Sequence, residues 1–117
     1  MKILLIYPLS LLFCSQSVLA QPHEKNRVII LTDIEADPDD TQSLVRLFLY
    51  SNEIDIKGLV ATTSCWHQNQ IDPESIQKVI QAYSKIQPNL LKHEKGFPKA
   101  EELSSLVQNG IPRYGMT

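Results

Sequence analysis

The stretch Asp33-Ile34-Glu35-Ala36-Asp37-Pro38-Asp39-Asp40 puts five carboxylates into eight residues. It directly follows Val28-Ile29-Ile30-Leu31-Thr32, a β-branched apolar run, and directly precedes Leu44, Val45, Leu47, Phe48 and Leu49, which read as a buried helix. The acids therefore sit where a strand hands over to a helix. In an open α/β sheet that point is the C-terminal edge of the strands, where ligands bind. Carboxylates this dense repel one another in a dry pocket and tend to take up protons. A bound cation relieves the conflict. Oxygen donors with no nearby His or Cys favour Ca²⁺ or Mg²⁺ over zinc.

Capping is the rival account of these acids. Asp37, Asp39 and Asp40 all suit the positive end of a helix, each by about 0.3–1 kcal/mol. Capping leaves Asp33 and Glu35 unexplained, because both precede the cap. An Asp-x-Asp phosphatase motif also fits poorly, since Glu35 stands at the second acid and Ala36 follows it.

The rest of the chain gives the acidic turn a context. A length of 117 residues allows one domain at most. The formal charge is -2, and the basic residues form no run. Neither feature points to nucleic acid or an anionic membrane. Residues 1–20 read as a secretory signal: Lys2, an apolar core over 3–13, and Val18-Leu19-Ala20 before a cleavage point. The apolar run is too short to span a bilayer, which takes roughly 20 residues. The protein is therefore expected to be secreted or periplasmic. Cys14 falls within the signal, leaving Cys65 as the one cysteine of the mature chain and no disulfide framework. Nothing in the sequence indicates an oligomeric state.

The continuous apolarity of 28–32 predicts a strand buried on both faces of a parallel sheet. A first helix is predicted with Asp37 as N-cap, Pro38 as first helical residue and Asp40 as an acidic third position. Residues 54–61 form the second strand of a β-α-β unit, whose right-handed crossover brings residues 62–64 near Asp33 and Glu35. Asp72-Pro73-Glu74 opens a second helix striped by Ile76, Val79, Ile80, Tyr83 and Ile86 and ended by Pro88. A third helix is expected over 99–109, stopped by Gly110 and Pro112, with no strand after it. The expected fold is thus an open parallel α/β sheet, present here as its first β-α-β unit and following helices.

The acidic stretch resembles the N-terminal signature of the nucleoside hydrolase superfamily, Asp-x-Asp-Pro-Gly-x-Asp-Asp after a first strand. Residues 32–46 and 52–64 are more similar still to a secreted branch with a nucleoside-hydrolase-like domain, some of whose members are described as cellulose-binding. The resemblance covers 27–117. It implies a Ca²⁺ site that holds a water and two sugar hydroxyls, with a carboxylate that deprotonates the water for attack at the anomeric carbon. Carried over by position, Asp33 and Asp40 are metal-site residues, Asp39 binds a sugar hydroxyl, and Glu35 is both ligand and base. Glu35 stands where the family has Asp. The extra methylene shifts the base by about an ångström, enough to cost roughly 100-fold in rate. Asp37 replaces the family's Gly. The implied activity is hydrolysis of an N-glycosidic or related glycosidic bond in a nucleoside or carbohydrate. The alternative is a non-catalytic carbohydrate-binding domain.

Cys65-Trp66-His67 follows the second strand. A thiol nucleophile there would need a neighbouring base, and adjacent residues on an extended chain point opposite ways. Trp66 has two readings, a sugar-stacking ring at the site mouth or a packed core residue. Tyr114 is a further aromatic that the sequence does not place.

Overall fold

A computed structural model describes residues 24–115. The expected signal segment, 1–20, lies outside the described residues. Six elements follow in order: β1 (Asn26–Thr32), α1 (Pro38–Leu49), β2 (Ile54–Ala61), α2 (Pro73–His93), α3 (Ala100–Ser105) and β3 (Val107–Asn109). The strands form one parallel sheet in the order β1-β2-β3. β1 pairs with β2 from Asn26↔Ile54 to Thr32↔Ala61, with a bulge between Val28 and Ile29 that leaves Lys57 as the extra residue on β2.

One core serves the whole assembly. Leu44 and Phe48 of α1, Ile56, Leu59 and Ala61 of β2, Ile76, Val79, Ile80 and Tyr83 of α2, and Leu103 of α3 bury together. Phe48 and Tyr83 meet ring to ring at 5.5 Å. All three helices therefore cover the same face of the sheet. Both crossovers advance in the same direction, β1 to β2 to β3, and crossovers of one hand then leave their helices on one side. Among the described residues β1 is therefore covered on one face, where burial on both was expected. Val28 and Ile30 pack against the core, but Ile29 is 64% and Leu31 67% exposed.

Two expectations are corrected. Pro88 does not end the second helix, which runs 21 residues to His93 with Pro88 inside it. A helix-interior proline costs about 3 kcal/mol through a lost hydrogen bond and a clash. The continuation packs Leu90 against the core, and the Glu94 N–H closes the helix on the Leu90 carbonyl at 3.0 Å. The third helix does not reach Asn109. It stops at Ser105, and Val107–Asn109 pairs with Leu59, Val60 and Ala61 as a third strand. The Leu59 N–H donates to the Leu106 carbonyl at 3.0 Å, so the open edge of β2 captures the segment. Three residues of weak preference follow their tertiary partner. Gly110 ends the strand: its N–H donates to the Ala61 carbonyl at 2.8 Å, and a Cβ there would stand 2.7 Å from that oxygen.

The two long helices begin differently. The Asp72 carboxylate accepts from the Ser75 N–H at 2.9 Å and the Ser75 hydroxyl at 2.6 Å. The hydroxyl bond is the leading reason its pKa lies below the ordinary carboxylate value. Asp37 occupies the predicted N-cap position with extended backbone, yet its side chain makes no capping hydrogen bond. Asp72→Ala should therefore cost about 1 kcal/mol, and Asp37→Ala roughly 0.3 kcal/mol through the helix dipole alone, as read by urea unfolding at pH 7. The Asp72 contribution should fade as pH falls through its depressed folded value, below 3.8.

Candidate functional site

The site begins with a ladder bond. The Thr62 N–H donates to the Thr32 carbonyl at 2.8 Å, which fixes the exits of β1 and β2 side by side. The chain leaving β1 turns at once. The Ala36 N–H donates to the Asp33 carbonyl at 2.9 Å, closing a four-residue turn. Its second residue, Ile34, is 1% exposed and anchors the turn in the core. Its third residue, Glu35, has φ +68°, a left-handed conformation that glycine usually fills in such turns. A non-glycine residue held there costs on the order of 1–3 kcal/mol. Burial of Ile34 and a hydrogen bond from the Thr41 hydroxyl to Glu35 Oε1 at 2.7 Å hold it.

This turn divides the acids. Glu35 faces a groove between α1 and α2 with Thr41, Val45, Lys78 and Ala82. Asp40 lines a different cleft, beside Ile30, Leu31, Thr32 and Leu47 on the β1 side of α1. Burial pushes the Asp40 carboxyl above its ordinary value, and the charges of Asp33, Asp39 and Asp37, in that order, push it further. The structure thus brings Asp33, Asp37, Asp39 and Asp40 into one field and leaves Glu35 on the other flank of α1. Among the described residues, no three His, Cys, Asp or Glu side chains converge as a ready metal cage. The donors that do share a field are all hard oxygens in mutual repulsion, which fits a hard cation chemically. Glu35 would have to leave Thr41 to join them.

The second wall is the loop after β2. Ser64 organises it: the Ser64 N–H donates to the His67 carbonyl at 3.2 Å, and its Oγ accepts from the N–H groups of Trp66 and His67 at 3.1 and 3.2 Å. On this tied backbone the Trp66 side chain is 74% exposed, so among the described residues it packs in no core. Cys65 is an exposed free thiol. The Tyr114 N–H donates to the Gln68 carbonyl at 2.8 Å, joining the segment after β3 to the Trp66 loop. Tyr114 has no place in the residue pattern until β3 is known. The one usable signal was Gly110, whose closeness to Ala61 steers the chain toward this loop.

The family described as "Cellulose-binding Sde182, nucleoside hydrolase-like domain" matches residues 27–117. The chain belongs to that family. A solved structure of a nucleoside hydrolase-related hypothetical protein from Saccharophagus degradans, described as associated with carbohydrate metabolism, is 43% identical, with a TM-score of 0.76. The match covers 80% of this chain and 23% of that one, so this chain spans about a quarter of that protein's length. No curated protein matches. Within the Sde182-type nucleoside-hydrolase-like fold, the described residues supply one stretch of open parallel sheet and the helices packed on one of its faces.

The Asp40 field has a measurable sign. Its folded pKa is raised, so the fold is penalised while Asp40 is ionised, and the penalty lifts as pH falls through the raised value toward 3.8. With divalent cations chelated, Asp40→Asn should raise the melting temperature at pH 7. The gain over the parent should shrink toward pH 4.

Proposed function

We propose that the C-terminal edge of this sheet is part of a carbohydrate-binding face, with Trp66 as its stacking residue. One observation carries this reading: Trp66 is 74% exposed on a loop whose backbone is tied down, in a family described as cellulose-binding. A flat indole offers its apolar face to the C–H face of a sugar ring, and its N–H remains for a hydroxyl. Rigid presentation limits the entropy lost on binding. The association of the Saccharophagus degradans protein with carbohydrate metabolism supports the same ligand class. The signal-like residues 1–20 suit a protein secreted or periplasmic, where polysaccharide is met. Trp66→Ala in the full-length protein should weaken cello-oligosaccharide binding about tenfold with an unchanged melting temperature. Unchanged binding with a large fall in melting temperature would show a structural residue instead.

A second reading is Ca²⁺-dependent hydrolysis of an N-glycosidic or related glycosidic bond. The shared field of Asp33, Asp39 and Asp40 favours it, because a cation would relieve the repulsion that raises Asp40. In this reading Asp33 and Asp40 hold the ion, with Glu35 joining as ligand. Asp39 accepts from a sugar hydroxyl, and the Glu35 carboxylate takes the proton of the attacking water. A bound Ca²⁺ would supply a polarised water and an anchor for sugar hydroxyls. The hydrogen bond between Glu35 and Thr41 argues for the binding role first, since the base is engaged away from the other acids. Ca²⁺ should raise the melting temperature of the full-length protein by mass action. Asp40→Ala should abolish the rise and Asp37→Ala should keep it. The reverse pattern would mean that Asp37 and not Asp40 is the ligand.

A further inference from the structure

The segment after β3 carries a second aromatic toward the Trp66 loop. Gly110 lets the chain pass against Ala61 at a separation that a Cβ would block. Residues 111–115 then return to the loop, where the Tyr114 N–H meets the Gln68 carbonyl at 2.8 Å. Gln68 lies two residues beyond Trp66, and its own side chain donates to the Cys65 carbonyl at 3.2 Å. The backbones under both aromatics are therefore tied into one hydrogen-bonded unit, while the side chains stand open, Trp66 at 74% and Tyr114 at 53% exposure. Neither ring packs on another ring among the described residues. Two amphipathic rings left in water on a fixed backbone suit a partner with repeated flat apolar faces and polar edges.

We propose that Trp66 and Tyr114 together form a platform for successive rings of a β-linked glucan strand. This rests on the carbohydrate-binding reading above and deepens it from one stacking residue to two. In a β-1,4-linked glucan the hydroxyls are equatorial, so each ring shows flat C–H faces to either side and hydroxyls around its rim. Such a strand can lie across two aromatic side chains at once. A single nucleoside has one sugar ring and needs only one. Two weak stacking contacts on one rigid unit then act as linked sites, and the affinity of the chain exceeds that of either ring.

The experiment is calorimetric titration of the full-length protein with cellobiose and cellohexaose, alongside Trp66→Ala, Tyr114→Ala and Tyr114→Phe. The parent should bind cellohexaose at least about tenfold more tightly than cellobiose. Tyr114→Ala should lose most of that preference, leave cellobiose affinity unchanged and keep the parent melting temperature. Tyr114→Phe should restore the preference. If Trp66→Ala weakens both ligands while Tyr114→Ala changes neither, the platform is overturned and the single-aromatic reading stands. An equal loss for both ligands in Tyr114→Ala also overturns it, since Tyr114 would then share the first subsite. If the parent binds neither ligand, or Trp66→Ala changes nothing, the carbohydrate reading fails and the platform fails with it.

Discussion

The pairing of β1 with β2 is the constraint on which the rest depends. Its last bond, from the Thr62 N–H to the Thr32 carbonyl, sets two chain exits next to each other at one sheet edge. A parallel pair cannot be closed by a tight turn, so α1 has to make the crossover. That crossover places Asp33–Asp40 at the helix start and the Ser64 loop beside it. β3 extends the same logic by one strand and delivers a third exit, at Gly110. Acid turn, indole loop and tyrosine segment are three consequences of one ladder.

Much of this was legible in the residues. The strand-acid-helix order of 28–49 announced the sheet edge, and Asp72-Pro73-Glu74 announced α2 with a cap that the structure reproduces. Three things were not legible. Residues 107–109 carry too little local preference to declare a strand, and the open edge of β2 decides them. Pro88 reads as a stop in any local account, but Leu90 is held by packing that only the folded core supplies. The direction of Glu35 depends on the sign of one backbone angle, which the buried Ile34 dictates from the opposite side of the turn. Spacing put Glu35 among the acids, whereas the backbone sends it to Thr41.

The acid turn also balances opposing demands. Asp37, Asp39 and Asp40 at a helix start gain from the dipole, yet Asp40 is held above its ordinary value by its burial and its neighbours. A group kept under such tension is sensitive to any positive partner, whether a proton or a metal ion. The left-handed Glu35 adds a mechanical counterpart, a strained residue held by the buried Ile34 beside it and by the Thr41 hydroxyl. Charge and backbone are both set away from their relaxed states within the same few residues.

The bare side of β1 bears on how such a chain survives its own synthesis. Ile29 and Leu31 project from a strand that is an edge of the described sheet, within a short β-branched and uncharged run. Runs of that kind, caught unpaired, template the stacking of identical segments between chains. Arg27 stands before this run and Asp33 directly after its final Thr32. Charges in those flanking positions act as gatekeepers, since each stacked copy would have to align like charges. The first acid of the candidate site thus also occupies a gatekeeper position. A charge at position 33 would therefore bear on folding whether or not the turn holds a ligand.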